Sequence, residues 1–410
     1  MVRAPRLLRP VSYRLAMTPV FGSDLGVYVH IPFCERVCPY CDFAVVGGRL
    51  ARVAEDRYVE ALLMELRSRG DVFAGRRLVT VYLGGGTPSL LRPESVARII
   101  DALRARYRAA GESLEITLEV NPSSLERARL PGFRAAGVNR LSVGVQSFDD
   151  EVLRRLGRAH KAEEGRRTLA AAREAGFANI SLDLIFAAPG GSASQLERDL
   201  DEALEFSPQH LSAYQLTVEH GTPFALAHQR GQLRLPDQDA SALLLQRVAE
   251  RAERAGLLRY ELSSYARPGF ESQHNQRYWQ RTPVFGLGMG AWSLAPARPG
   301  APHGTRTANA RELSVYLSEL EAGRSPVAES EILDARTARG EAVFLALRCT
   351  AGLCVADFES EFGGPPRAYF REEIDSLVAA ELLVESRASG DLALTERGRM
   401  LADSVFQAFV

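Results

Sequence analysis

From about Val27 onward, short apolar runs alternate with longer stretches in which apolar residues recur every three or four positions. The short runs are Val27 to His30, Leu78 to Leu83, Leu114 to Val120, Asn139 to Val145, Asn179 to Phe186 and His210 to Leu216, and they predict strands. The stretches Ala51 to Arg69, Pro93 to Tyr107, Leu125 to Ala136, Ala162 to Ala175 and Ala193 to Phe206 predict helices. Strand then helix, repeated, predicts an α/β fold whose parallel sheet is closed or partly closed into a TIM-like barrel. Ala136-Gly137 and Ala175-Gly176 supply glycine where a left-handed C-cap turns a helix back toward the next strand.

Within the strands, alternation separates two faces. Glu115, Thr117 and Glu119 share one side, and Ile116, Leu118 and Val120 the other. In a barrel covered outside by helices the polar side points inward, as does Asp183 between Leu182 and Leu184, while Gln146 ends its strand. Polar groups near the C-terminal ends of barrel strands mark a functional site, because the strand-to-helix loops gather there.

From Pro236 the pattern continues with one long helix and a strand at Leu258 to Tyr265. It then gives way, up to about Pro302, to a Pro-, Gly- and aromatic-rich stretch that predicts a long functional loop carrying His274, Tyr278 and Trp279. From Asp334 the chain reads as mainly helical, closing with a strand pair around Leu382 to Glu385 and Leu392 to Leu394 and a last helix, the order of a winged-helix-like domain. The expected organisation is a basic N-terminal extension over 1–20, a barrel core over 21–235, a barrel extension and linker over 236–333, and the C-terminal domain over 334–410. The extension carries Arg3, Arg6, Arg9 and Arg14 without an acid, and reads as a disordered segment or a chain that starts at Met17 rather than as a transit peptide.

A formal charge of -1 gives no global field for nucleic acid or anionic membrane, and no run approaches the roughly 18 apolar residues that span a bilayer. Three of the five cysteines fall within eight residues, unlike a disulfide scaffold, which points to a reducing cytoplasm. Cys349 and Cys354 lie in a helical stretch and read as small buried apolar residues.

Cys34, Cys38 and Cys41 follow directly on the strand that contains Tyr28. Three thiolates on one tight loop can hold three corners of a cubane and leave the fourth iron open. A zinc knuckle would want a second pair, and a Cys38-Pro-Tyr-Cys41 redox dithiol leaves Cys34 unexplained. Gly84-Gly85-Gly86-Thr87 ends an apolar strand in residues that let a ligand approach the backbone closely.

These motifs together resemble radical S-adenosylmethionine (SAM) proteins, and within them the group similar to oxygen-independent coproporphyrinogen III oxidase, from about Gly26 to the C-terminus. The resemblance implies a 4Fe-4S cluster on Cys34, Cys38 and Cys41, with SAM on the free iron and its reductive cleavage to methionine and a 5'-deoxyadenosyl radical. It also implies that Tyr28, Tyr40, Gly85, Gly86, Thr87, Glu119, Gln146, Arg158, Asp183 and Thr217 surround SAM. The oxidase carries a further cysteine two residues after the third, where this chain has Phe43. His274-Asn275-Gln-Arg-Tyr278-Trp279 looks like the His-Asn-x-x-Tyr-Trp motif of the haem chaperone branch, in which relatives commonly carry His at the place of Trp292.

That branch implies a cytoplasmic carrier that binds haem and delivers it to acceptor haemoproteins, with an electron donor where the cluster is reduced. The alternative is oxidative decarboxylation of coproporphyrinogen III to protoporphyrinogen IX. On the carrier reading His274 is the candidate iron ligand, with Asn275, Tyr278 and Trp279 beside the macrocycle, and His30 and His220 are weaker candidates. A nucleic-acid partner for the winged helix is not expected, since 334–410 is not strongly basic.

Overall fold

The computed structural model describes residues 22–48 and 54–410, so the extension expected over 1–20 lies outside the described residues. Asp24–Ile31, Arg77–Gly85, Glu115–Val120, Arg140–Gln146, Asn179–Phe186 and His210–Gln215 pair side by side, all parallel. Val284–Leu287 adds a seventh parallel strand on the free side of Asp24–Ile31. Antiparallel strands extend both edges: Ser264–Ala266 and Leu258–Arg259 beyond His210–Gln215, and Trp292–Ala295, Thr305–Asn309 and Val327–Ile332 beyond Val284–Leu287. The two outermost strands are not paired with each other, so the barrel is partial.

Alternation decides which side chains form the core. Leu25, Val27, Val29 and Ile31, all 0% exposed, point outward into the helical layer with Leu118, Leu141, Val143 and Leu182. Burying each such side chain contributes roughly 1.5–3 kcal/mol. The helix Glu55–Arg69 is also fixed by polar contacts: the buried Glu65 carboxylate accepts from the Gly288 backbone (2.9 Å), Tyr316 (2.7 Å) and Asn309 (2.7 Å), and pairs with Arg69. Gly137 and Gly176 adopt φ values of 101° and 84°, the left-handed turns their positions called for.

A second apolar core runs from Ala338 to Phe409, built by the helices Ala335–Arg348, Val355–Phe362 and Arg371–Ala379 and the hairpin Leu383–Glu385 with Leu392–Leu394. This region packs along the open seam of the barrel. It meets one edge where Tyr260 O accepts from Thr350 N (2.9 Å) and the other through the Arg306–Glu341 ion pair. Among the described residues no helix is long and apolar enough to cross a membrane.

Three expectations need correction. The long loop up to Pro302 is instead the helix Gln273–Trp279 followed by two strands. The helix is only seven residues long, capped by Ser272 Oγ accepting from Asn275 N, and Gly286 and Gly288 interrupt the apolar run of the strand after it, so neither shows a full period. Leu258 to Tyr265 is a tight antiparallel pair rather than one strand. Cys349 and Cys354 flank the turn between two helices, as the residue after one and the N-cap of the next, and both are half-buried.

Candidate functional site

The two-residue strand Phe33–Cys34 pairs with Val46–Gly47 and closes the cysteine loop at the C-terminal end of the first strand. Inside it Cys38 O accepts from Cys41 N at 3.1 Å, the turn that draws these two residues together. Cys34, Cys38 and Cys41 are half-buried free thiols. Thr87 Oγ1 donates to Cys34 Sγ (3.8 Å) and Arg158 Nη1 to Cys38 Sγ (3.7 Å). Burial pushes the Cys34 thiol up to about 11 against the Thr87 hydrogen bond, and burial likewise raises Cys41.

Among the described residues no three His, Cys, Asp or Glu side chains converge on a single ion. Three cysteines on one loop are the Cys set that an iron-sulfur cluster takes. Hydrogen bonds onto two of the sulfurs are the supporting contacts such a cluster takes. The three thiols of the loop and the two donors onto them therefore fit an iron-sulfur cluster.

Around the loop, the strand ends form a connected rim. Gly85 has φ 109°, and a Cβ there would lie 2.4 Å from His30 Cε1, so glycine is required. Gly85 N donates to Glu119 Oε2 (3.1 Å), and Gly86 N and Thr87 N donate to Ile31 O and Phe33 O (2.8 Å each), stitching the glycine turn to the chain leading into the cysteines. Arg158 reaches across to Asn121 Oδ1 (2.5 Å) and Gly144 O (3.1 Å), and Asn121 Nδ2 donates to Thr87 Oγ1 (2.7 Å). Tyr40 packs on Phe224 and faces Cys38 and Arg158. Gln146, at φ 68°, holds a strained backbone where its strand ends. A cavity of 260 Å³ opens beside this rim, lined by Cys38, Asn121, Glu126, Arg158 and His160 among others.

Below the rim the inward faces make a polar lumen. Glu119 accepts from Tyr82 Oη (2.9 Å), and Asp183 from Ser142 Oγ (2.9 Å) and Ser181 Oγ (3.1 Å). Burial raises both carboxyls, Glu119 to about 7. Tyr28 joins the lumen through a 3.0 Å hydrogen bond with His30 Nδ1. Of the residues the resemblance gathers around SAM, Thr217 stands apart: it is exposed, and among the described residues its hydroxyl bonds only to Gln215 O.

His274 is not on an exposed loop. The helix Gln273–Trp279 closes the opposite, N-terminal end of the barrel, where its first backbone amides donate to the Glu115 carboxylate at 3.2 and 3.1 Å. His274 is 1% exposed, with Nδ1 at 2.9 Å from Thr80 Oγ1 and Nε2 at 3.2 Å from Tyr278 Oη. Burial lowers its pKa to about 3, so it is a neutral core imidazole with both nitrogens engaged. Both imidazole nitrogens are thus taken up in the core, and the Arg348 guanidinium lies 4.5 Å over one face of the half-buried Trp279 ring. Asn275 is half-buried on the same helix.

Sequence reasoning passed over Asn121 and Arg140. Asn121 was within reach, as the first residue after the strand that carries Glu119; Arg140 was one of many scattered arginines.

Comparison with known proteins gives consistent matches. Residues 28–203 match the model of the radical SAM superfamily, and residues 333–401 that of the HemN C-terminal domain. The heme chaperone HemW of Bacillus subtilis is 35% identical over 94% of this chain and 99% of its own. That of Mycobacterium tuberculosis is 37% identical over 96% and 97%. Among solved structures, the coproporphyrinogen III oxidase (HemN) of Escherichia coli, a radical SAM enzyme, superposes with a TM-score of 0.79 at 27% identity, covering 94% of this chain and 90% of that one.

Proposed function

We propose a function from one premise: the chain belongs to the heme chaperone HemW family, within the radical SAM superfamily. It binds haem and passes it to acceptor haemoproteins, and carries a 4Fe-4S cluster on Cys34, Cys38 and Cys41 with SAM beside it. The observation that carries this reading is the near end-to-end match to the Bacillus subtilis chaperone.

When bound, such a cluster supplies electrons to SAM at its open iron. The chain's own residues have separate tasks. Thr87 and Arg158 orient the sulfurs, and Asn121 locks those two donors together. Gly85 lets a ligand approach the backbone, and the Glu119 carboxylate holds that turn by accepting its amide. Glu119 and Asp183 offer hydrogen-bond acceptors to a polar ligand in the lumen, with Tyr28, Tyr40, Gly86 and Gln146 on its walls; the position of Thr217 gives it the weakest case. An electron donor would approach from the exposed side of the cysteine loop, where Val37 and Phe43 are 46% and 60% exposed. Five unpaired cysteines support a reducing cytoplasm as its place.

The second reading, coproporphyrinogen decarboxylation, is favoured by the likeness to the Escherichia coli oxidase and opposed by Phe43 at the position of the further cysteine. Haem titrated into anaerobically reconstituted protein, followed by mixing with an apo-haemoprotein, tests the carrier directly. Saturable Soret binding and transfer support it. Protoporphyrinogen formation from coproporphyrinogen, with SAM and a reduced cluster, would replace it with the oxidase.

A further inference from the structure

Arg140 begins its strand on the inward face of the barrel and is 2% exposed. Among the described residues its side chain makes no hydrogen bond, ion pair or ring contact, and its Nε is sealed from solvent without a partner. Thr117, its register neighbour on the adjoining strand, is 0% exposed and leaves Oγ1 equally unpaired. The next inward position, Ser142, is by contrast satisfied by Asp183.

A buried carboxylate or imidazole can escape its burial by becoming neutral, but a guanidinium cannot. Buried charges are therefore found paired, and an unpaired one calls for an explanation. Glu119 and Asp183 feel the charge of Arg140, yet neither lies within ion-pair distance. One register step above, Glu119 faces Ser142, and Tyr28, Tyr82, Asp183 and Tyr214 are partly exposed to the lumen. The guanidinium thus lies buried beneath these partly accessible polar groups, beside an unpaired hydroxyl. A planar carboxylate suits that pair, since its two oxygens match the guanidinium fork.

We propose that Arg140 and Thr117 form a carboxylate anchor at the floor of the lumen that takes a propionate of a bound tetrapyrrole. The tetrapyrrole rests on the haem reading above. SAM is the poorer occupant, because its carboxylate is expected at the cluster's free iron, beyond the C-terminal ends of the strands, whereas Arg140 opens its strand at the other end. Haem offers two propionate carboxylates, neither of them needed at the cluster. With Glu119 raised to about 7, the lumen near neutral pH need not set two full negative charges against the incoming group.

The test compares acids with their esters. Reconstituted full-length protein is titrated with haem and haem dimethyl ester, read by Soret absorbance, and with coproporphyrin and its tetramethyl ester, read by fluorescence. Wild type, Arg140→Met and Arg140→Lys are measured side by side, with the visible cluster spectrum as the check on folding. Wild type should prefer an acid over its ester by about tenfold or more, the scale of one charge-assisted contact. Arg140→Met should lose that preference, and Arg140→Lys should keep part of it. Equal binding of acid and ester by wild type, or an unchanged preference in Arg140→Met, overturns the anchor and leaves the carrier standing. Binding of no tetrapyrrole overturns both. Should Arg140→Met fail to fold, the wild-type ester comparison together with Arg140→Lys decides.

Discussion

The imidazole of His274 and the hydroxyl of Tyr278 meet at 3.2 Å across one helical turn, and both point into the barrel floor. The imidazole ring also lies 5.2 Å from Tyr82, at 29° between planes, and 6.4 Å from Tyr28. The His-Asn-x-x-Tyr-Trp run therefore forms part of the wall behind the lumen, where the His274 ring packs against Tyr82 and Tyr28.

Replacing His274 by alanine should accordingly cost stability first. It leaves the Thr80 and Tyr278 hydroxyls unpaired and opens a void beneath two aromatic rings, on the order of 2–4 kcal/mol. Denaturant unfolding should show that loss, while the electronic spectrum of any haem that the variant still binds keeps its wild-type ligand signature. A changed axial-ligand spectrum in a normally stable variant would restore His274 as a ligand.

Glu126 gives a pH prediction with a definite sign. It is 1% exposed; Oε1 accepts from Ser89 Oγ at 2.9 Å, and Oε2 has no partner. Burial raises its pKa to about 7, from 4.5. Below about 4.5 both the folded and the unfolded state hold the proton, and the native state carries no penalty. As pH rises toward 7 the unfolded chain releases the proton and the native state retains it, so native stability falls. Glu126→Gln, neutral throughout, should therefore gain on wild type by up to roughly 1.4 kcal/mol per pH unit across that window. Parallel melts at pH 4.5 and 7 check it, and a constant difference would mean that the carboxyl is ionised in the fold.

Gly85→Ala should damage the cofactor site more than the fold. At φ 109° a side chain is strained by about 1–3 kcal/mol, and here its Cβ would also displace His30, which ties the strand to Ala44 O at 2.7 Å. Gly176→Ala, at φ 84° with nothing near the added carbon, carries the backbone strain alone and serves as control. SAM retention by equilibrium dialysis should fall in the first variant and hold in the second. Equal behaviour of the two would deny the close approach at Gly85.

Much of this architecture was legible in the chain because period-two alternation and period-3.6 recurrence are local signals. Glu115, Thr117 and Glu119 face inward for the reason the pattern gives, and the cysteine spacing stands on its own. What stayed hidden depends on long-range packing. Nothing near His274 in sequence announces that Thr80, nearly two hundred residues earlier, will take its Nδ1. Arg140 resembles any other arginine until the sheet closes round it without supplying a partner.

The C-terminal region grips the floor helix from outside, and that grip has a buried ionic centre. Arg281, two residues past the helix and 2% exposed, donates to Glu361 (2.7 Å) and lies 3.4 Å from Glu341, which also pairs with Arg306. Its backbone at φ 49° turns the chain so that the guanidinium can reach both carboxylates. Removing it leaves Glu361 without its charge partner in a nearly closed site, and breaking such buried pairs typically costs about 3–5 kcal/mol. Arg281→Ala should destabilise by that order, and Arg281→Ala with Glu361→Gln by less, since the second change removes the stranded charge. Hydrogen exchange should quicken in Gln273–Trp279 and in Ala335–Arg348 together, because Arg348 over Trp279 is the other hold between them. The cysteine loop, at the far end of the strands, should keep its protection. If exchange rises only in the C-terminal region, the floor helix stands without that grip.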